Sequence, residues 1–178
     1  MSAMTEIRWH ARAGQGAKTA AQTLALALLR EGKGVQAFPE YGPERRGAPL
    51  RAFTRVADGP IRRHDTITDP DFVVVLEPSL VHEAGIADGL QENGLVLFNG
   101  EEAPVELDGV DVRCVPATRL AETLGSGFVN IVMLGAVAAA LGEPRLDNLQ
   151  TAAVETLGSK VPAADVRSAL AEGYAWLS

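Results

Sequence analysis

Cysteine is almost absent from this chain of 178 residues, in which Cys114 is the single thiol. One thiol forms no internal disulfide and is too few for an iron–sulfur cluster or a cysteine-rich zinc site. The three histidines, His10, His64 and His82, are scattered without the spacing of metal ligands. We therefore predict no metal site and interpret Cys114 as a small apolar residue near the end of a strand.

Aromatic residues are also few, at 5%, so Ala, Val, Leu and Ile must build the core. The chain is 47% hydrophobic and 22% charged, which is typical of one globular domain over residues 1–178. Long apolar runs are missing too, since residues 128–141 are interrupted and too short to span a membrane. The polar start resembles no signal peptide, so we expect a cytoplasmic protein.

Negative charge predominates, with a net charge of −7, but it is unevenly distributed. Residues 1–63 carry 11 basic and 5 acidic side chains, whereas residues 64–178 carry 5 and 18. This acidity argues against nucleic acid as the main partner. Six arginines lie between residues 45 and 63, and such a stretch suits a small phosphorylated ligand or an acidic protein surface. The alternative is a solvated strand face.

Alternating strand and helix patterns run through the first two thirds of the chain, and the last third is helical. Strand patterns cover residues 6–10, 35–38, 50–56, 72–76, 95–98 and 110–115. Helix patterns cover residues 17–31, 78–83, 118–124, 127–141, 146–157 and 162–176, with Ser126 as the expected N-cap of the fourth. The pattern predicts a three-layer α/β/α domain with a mostly parallel sheet.

A glycine-containing turn joins the first strand to the first helix at Gly14, Gln15 and Gly16. Such a turn points backbone N–H groups outward at a helix N-terminus, where they attract phosphate. Lys18 and Thr19 would add a charge and a hydroxyl. The spacing matches neither the P-loop nor the dinucleotide fingerprint, so a purely structural turn is an equal alternative.

Two further features are candidates for binding. The rigid loop at 39–49 contains Arg45 and Arg46, which could clamp a phosphate or carboxylate, or could simply be solvated. Asn130 interrupts an apolar helix, and a bond to a nearby loop is favoured over a ligand contact. No nucleophile and base stand together in the sequence, so we predict no catalytic residue.

These motifs together resemble the gamma subunits of the 2-oxoacid:ferredoxin oxidoreductases, including the pyruvate enzymes. The resemblance spans nearly the whole chain, and its most specific part is the run Gly-Pro-Glu-Arg-Arg-Gly-Ala-Pro at 42–49. It also rests on residues 7–10 (Ile-Arg-Trp-His), 14–17 (Gly-Gln-Gly-Ala), 19–21 (Thr-Ala-Ala), 35–41, 51–55 (Arg-Ala-Phe-Thr-Arg), 130 and 133–136 (Met-Leu-Gly-Ala).

The resemblance implies a subunit of a complex that converts a 2-oxoacid, coenzyme A and an oxidised acceptor into acyl-CoA, CO2 and reduced acceptor. Thiamine diphosphate and iron–sulfur clusters would then belong to alpha, beta and ferredoxin-like partner subunits. This chain would bind coenzyme A and help assemble the complex. The expected contacts are Gly14, Gln15, Gly16, Lys18, Thr19, Arg45, Arg46 and Asn130, with the two arginines binding phosphate or locking a subunit interface.

The sequence departs from the family pattern at three positions. Ala11 and Ala13 stand where glycine is usual, and Lys18 stands where a small apolar residue is usual. These departures favour one alternative, a purely structural subunit with a degenerate ligand site. A second alternative is a free-standing enzyme that binds coenzyme A or a nucleotide.

Overall fold

A computed structural model describes residues 4–40, 47–82, 85–125 and 127–178. Within these ranges the strands are β1 (Met4–Arg12), β2 (Gly34–Pro39), β3 (Pro49–Ala57), β4 (Phe72–Val75), β5 (Leu95–Asn99) and β6 (Asp111–Val115). The α-helices are α1 (Ala17–Arg30), α2 (Ala117–Thr123), α3 (Val129–Leu141), α4 (Leu146–Leu157) and α5 (Ala163–Leu177). Short 3-10 helices cover Pro78–His82, Val105–Leu107 and Gly158–Lys160.

All six strands belong to one sheet in the order β2-β3-β1-β4-β5-β6. Strands β1, β4, β5 and β6 run parallel to one another, whereas β3 is antiparallel to both of its neighbours. The mostly parallel sheet is therefore confirmed. The antiparallel direction of β3, which lies between β1 and β2 in the sheet, was not predicted.

The two faces of the sheet are covered differently. Along β1, Ile7, Trp9 and Ala11 point to one face and pack in a large core that includes residues of all five α-helices. On the other face, valines of β4 and β5 pack in a smaller core with Leu80 and Leu107 of the 3-10 helices. The predicted three layers are confirmed, and the outer layer on the second face consists of 3-10 helices and loops.

Helix α3 begins two residues later than predicted. Phe128 is the residue that precedes it, and its carbonyl accepts hydrogen bonds from the N–H groups of Ile131 and Val132. The φ and ψ of Phe128, −88° and 48°, lie outside the helical region, so the helix cannot extend back to 127. The predicted N-cap, Ser126, lies outside the described residues.

Apart from Asn130 in its first turn, helix α3 is apolar on all sides, as expected for a helix at the centre of the helical layer. Its contact with α5 depends on two glycines. A Cβ atom on Gly173 would lie 1.8 Å from the carbonyl oxygen of Val132, and one on Gly135 would lie 2.2 Å from that of Leu170. The backbones of the two helices thus approach more closely than any side chain permits. In the described part of the chain, no helix has the length and apolarity to cross a membrane.

Strand β6 forms one edge of the sheet, and the end of α5 covers part of it. The indole Nε1 of Trp176 donates a hydrogen bond to the carbonyl oxygen of Cys114 at 3.0 Å. The guanidinium of Arg119 lies over the Trp176 ring, 5.8 Å from its centre. The C-terminal helix is therefore tied to the sheet by a polar contact as well as by its apolar face.

The close contact between α3 and α5 predicts an unusual effect of a Gly173→Ala substitution. Alanine in an exposed helix normally stabilises by about 0.5–1 kcal/mol relative to glycine. Here overpacking against Val132 should instead lower the free energy of unfolding by about 1–3 kcal/mol. Urea unfolding followed by circular dichroism measures the difference. Gly59→Ala, where nothing lies within 4 Å of the added Cβ, is the control, and an unchanged or raised stability of Gly173→Ala would contradict the packing argument.

Candidate functional site

A crevice of about 430 Å³ opens where the carboxyl ends of the parallel strands meet. Its described lining comes from the turns after β1 and β4, the end of β5 and the starts of α2 and α3: Gly14, Gln15, Gly16, Leu76, Glu77, Pro78, Asn99, Thr118, Gly127, Val129 and Asn130. The chain connections from the two central strands lead in opposite directions here. The connection after β1, through α1, leads to β2 on one side of the sheet, whereas the connection after β4 leads to β5 on the other side. Open α/β sheets bind ligands at such a point.

The turn after β1 presents the N-terminus of α1 to this crevice. Gly16 precedes the helix with a φ of +83°, a conformation that side chains disfavour. The N–H of Gln15 is not available to a ligand, because it donates to the carbonyl oxygen of Arg12 at 3.0 Å. At the start of α1, the N–H groups of Gly16, Ala17, Lys18 and Thr19 have no hydrogen-bond partner within the described part of the chain.

Asn130 brings α3 against this turn. Its Nδ2 donates to the carbonyl oxygen of Gly16 at 3.3 Å, so the predicted bond to a nearby loop is present. A Cβ atom on Gly16 would lie 2.4 Å from Nδ2 of Asn130. Glycine is therefore favoured at position 16 by its φ, and a larger residue would also displace the Asn130 amide. Asn130 also lines the crevice, so its amide is placed to contact a ligand as well.

A carboxylate faces the crevice on the β4 side. Glu77 Oε2 accepts a hydrogen bond from Nε2 of Gln15 at 2.5 Å, and Oε1 accepts one from the Ser79 hydroxyl at 2.8 Å. Burial works to raise the pKa of Glu77, but the hydrogen bonds from Ser79 and Gln15, with the nearby Arg12 charge, outweigh it. The pKa therefore lies below its usual value, and Glu77 is ionised at neutral pH.

Asn99 forms the floor of the crevice and joins three elements there. It is only 3% exposed. Its Nδ2 donates to the carbonyl oxygen of Leu76 at 2.9 Å and to the Thr118 hydroxyl at 3.0 Å, while its Oδ1 accepts from the Thr118 N–H at 3.2 Å. The sequence analysis did not single out Asn99, Glu77 or Thr118 as site residues. A usable signal was the position of Asn99 and Glu77 at or just after the ends of buried strands.

The remaining predicted contacts lie apart from the crevice lining or outside the described residues. Lys18 is exposed and Thr19 is half-buried in the first turn of α1, and neither side chain is part of the described lining. Arg45 and Arg46 lie outside the described residues. The structure thus brings together Gly14, Gln15, Gly16 and Asn130 at the crevice, and all eight residues stay predictions as ligand contacts.

The two alanines that replace family glycines cause no strain. Ala11 is buried and packs in the core on the helical face of the sheet, away from the crevice. Among the described residues, every one with a positive φ is a glycine, so neither Ala11 nor Ala13 adopts a conformation that excludes a side chain. Neither methyl group lines the crevice as described. These alanines therefore leave the site open.

Arg55, in the arginine-rich stretch, is fully buried on the sheet face opposite the α-helices. Its Nε donates to Glu6 Oε1 at 2.6 Å, and its Nη2 approaches Asp65 Oδ1 at 3.4 Å. The guanidinium also lies over the ring of Phe38, 5.6 Å from its centre. A buried charge needs such partners, so Arg55 stabilises the fold and is not available to an external anion.

Ion pairs engage two further arginines of this stretch. Arg51 pairs with Glu40, and Arg63 pairs with Asp65. Arg62 is exposed. Most of the described arginines of the stretch therefore form ion pairs with acidic residues of the same chain. The expectation that they form a basic patch available to an external anion does not hold for them.

His10 is also buried on this face, with 6% of its surface exposed. Arg8 Nε donates to His10 Nε2 at 3.0 Å, and Arg8 Nη2 donates to the carbonyl oxygens of Ile86 and Asp88. Burial, followed by the charges of Arg8 and Arg51, lowers the pKa of His10 to about 3. The imidazole is therefore neutral at physiological pH and acts as a hydrogen-bond acceptor.

An open α/β domain with a crevice at the carboxyl ends of its strands has the architecture in which many α/β proteins bind their ligands. Comparison of the sequence with known families identifies which family of α/β proteins this chain belongs to. The sequence matches the profile of the pyruvate ferredoxin/flavodoxin oxidoreductase family over residues 6–176, and the chain belongs to that family.

Individual relatives agree with this assignment. The common gamma subunit of the pyruvate/ketoisovalerate oxidoreductases of Pyrococcus abyssi is 44% identical over 173 residues, which cover 93% of this chain and 94% of the relative. The crystal structure of the pyruvate oxidoreductase subunit PORC from Thermotoga maritima superposes with a TM-score of 0.81 at 38% identity, covering 97% of this chain and 96% of that one. The predicted resemblance to gamma subunits is confirmed.

A more distant structure shows the same fold within a longer chain. The 2-oxoglutarate:ferredoxin oxidoreductase of Magnetococcus marinus, solved with 2-oxoglutarate, coenzyme A and succinyl-CoA, superposes with a TM-score of 0.83 at 19% identity. The match covers 98% of this chain and 31% of that one. This domain is therefore also found as one part of a larger polypeptide.

The buried imidazole predicts a specific pH dependence of stability. The unfolded chain protonates His10 near pH 6.5, whereas the folded chain does so only near pH 3, so stability falls as the pH drops between these values. Between pH 6 and 5 this should cost about 1 kcal/mol. A His10→Gln variant, which retains an acceptor, should lose less stability over that interval in denaturant titrations. The exposed His64 provides the control His64→Gln, and equal slopes for all three proteins would contradict the assignment.

Proposed function

We propose that this chain is the coenzyme A-binding gamma subunit of a 2-oxoacid:ferredoxin oxidoreductase complex and that coenzyme A occupies the carboxyl-edge crevice. The complex would convert a 2-oxoacid, coenzyme A and oxidised ferredoxin or another acceptor into acyl-CoA, CO2 and reduced acceptor. The observation that carries the proposal is the unpaired N-terminus of α1, which is presented to the crevice by the turn at Gly14–Gly16.

The chemistry of the crevice fits the phosphates of coenzyme A. Free N–H groups at a helix N-terminus bind phosphate oxygens, and the helix dipole favours their negative charge. The first turn of α1 contains no acidic residue, and Lys18 adds a positive charge there. The crevice volume is within the range of small-molecule sites. The Magnetococcus enzyme, which contains this fold, makes coenzyme A the first ligand to test.

The redox cofactors of the complex would be supplied by partner subunits. A single cysteine is too few for an iron–sulfur cluster. Burial, with a smaller effect of Glu102, also raises the pKa of the Cys114 thiol, which disfavours the thiolate that a metal requires. We therefore assign thiamine diphosphate and the iron–sulfur clusters to alpha, beta and ferredoxin-like subunits. We also propose that the complex is located in the cytoplasm.

The two alternatives have less support. A degenerate ligand site was suggested by Ala11 and Ala13, but neither methyl group reaches the described lining. A free-standing enzyme would require its own catalytic groups. Glu77 is the only ionisable side chain among the described lining residues, and the hydroxyl in that lining, on Thr118, is bonded to Asn99 and not to a general base.

Purification of the tagged chain from its native host tests the assembly directly. We expect brown eluate that contains partner subunits and reduces an acceptor only when both a 2-oxoacid and coenzyme A are present. A panel of 2-oxoacids would then identify the substrate. A colourless chain without partners would contradict the subunit assignment.

Titration of the assembled complex with coenzyme A tests the site. Gly16→Ala should raise the Kd at least tenfold, because the added methyl group displaces Asn130 and strains the turn. Lys18→Ala and Arg45→Ala should each raise the Kd about threefold to tenfold if their charges contact phosphate. Arg62→Ala, which removes an exposed charge elsewhere, should have no effect. Unchanged affinity in both Gly16→Ala and Lys18→Ala would exclude the crevice as the site.

A further inference from the structure

The crevice contains a negative charge in addition to its phosphate-binding helix N-terminus. Glu77 lies on the wall formed by the turn after β4, and it is the only ionisable side chain among the described lining residues. Its carboxylate is one hydrogen bond away from the side chain of Gln15, which directly precedes Gly16. A bare polyanion that approaches the N–H groups of α1 therefore also meets a carboxylate.

Neighbouring groups hold this carboxylate in place. The Gln15 amide is fixed at both ends, because its Oε1 accepts from the Arg12 N–H at 2.7 Å while its Nε2 donates to Glu77. On the other side, the hydroxyl and N–H of Ser79 donate to Glu77 Oε1 at 2.8 and 3.3 Å. The Arg12 guanidinium in turn donates to the Ser79 hydroxyl at 3.1 Å. The carboxylate is thus preorganised before a ligand arrives.

Acceptor capacity remains on this group. A carboxylate offers about four acceptor positions, two on each oxygen. Both positions on Oε1 are taken by Ser79, whereas Oε2 accepts a single bond from Gln15 within the described part of the chain. Glu77 is half-buried at the crevice wall, so the second position on Oε2 is open to a hydrogen-bond donor of the ligand.

We propose that Glu77 is a specificity-determining residue of the crevice, which accepts a hydrogen bond from a hydroxyl or amide group of the ligand and repels ligands that offer only phosphate. This inference rests on the proposed binding of coenzyme A, which carries ribose and pantetheine donors beside its pyrophosphate. Inorganic pyrophosphate has the anionic part alone. The N-terminus of α1 supplies attraction for both ligands, and Glu77 distinguishes between them.

A Glu77→Gln substitution in the assembled complex tests this role. Glutamine has the same size and, with its Oε1 toward Ser79, keeps the hydrogen bonds from that residue, but it lacks the charge and cannot accept the bond from Gln15 Nε2 as well. Isothermal titration at constant ionic strength would measure the Kd values of coenzyme A and inorganic pyrophosphate. We expect pyrophosphate to bind at least threefold more tightly to the variant and coenzyme A more weakly, so that the preference for coenzyme A falls at least tenfold.

A role confined to holding the turn would give a different result, because both affinities would fall by the same factor and the preference would stay unchanged. That outcome overturns the proposal. Glu101→Gln is the matched control, since Glu101 is an exposed carboxylate that pairs with Arg119 outside the described lining. A similar loss of preference in this control would attribute the effect to net charge and would also overturn the proposal.

The failure of the proposed function is distinguishable from the failure of this inference. If the wild-type complex binds no coenzyme A, the proposed function is wrong, and the donor contact at Glu77 falls with it. The titration with inorganic pyrophosphate then tests the other half of the proposal, the repulsion of phosphate-only ligands by Glu77. An unchanged pyrophosphate affinity in Glu77→Gln would overturn the repulsion by Glu77 as well.

Discussion

Gly16 and the side chain of Asn130 meet so closely that a side chain on the glycine would displace the Asn130 amide, and the two residues together form part of the crevice lining. The two residues are 114 positions apart, so the contact joins the start of the chain to its helical last third. It fixes where α1 begins relative to α3. The free N–H groups of α1 consequently face an opening whose opposite walls come from β4 and β5.

The sequence predicted most of the fold because burial leaves simple patterns. Continuous apolar runs at β4 and β5 are covered on both faces, and every predicted strand is present. The direction of β3 could not be predicted, since alternation is the same in parallel and antiparallel strands. The alternation also placed Arg55 on one face of β3 without showing that Glu6 and Asp65 bury and neutralise it.

The site could be predicted only in part, for a related reason. Gly14, Gln15, Gly16 and Asn130 stood out because glycine in a strand-to-helix turn and an amide in an apolar helix are locally unusual. Glu77, Asn99 and Thr118 look like ordinary loop and helix-start residues until the sheet order places the ends of β4, β5 and β6 side by side. Their roles arise from tertiary neighbours.

The indole of Trp176 has a consequence for how this domain joins others. An edge strand offers unpaired backbone groups that another strand can extend, and the Cys114 carbonyl is one such group on β6. Trp176 occupies it, with Arg119 stacked behind the ring. Continuing the sheet across this edge would require the last turn of α5 to peel away from the domain. Addition of a strand from another chain is therefore blocked at this position of β6 as long as α5 stays in place.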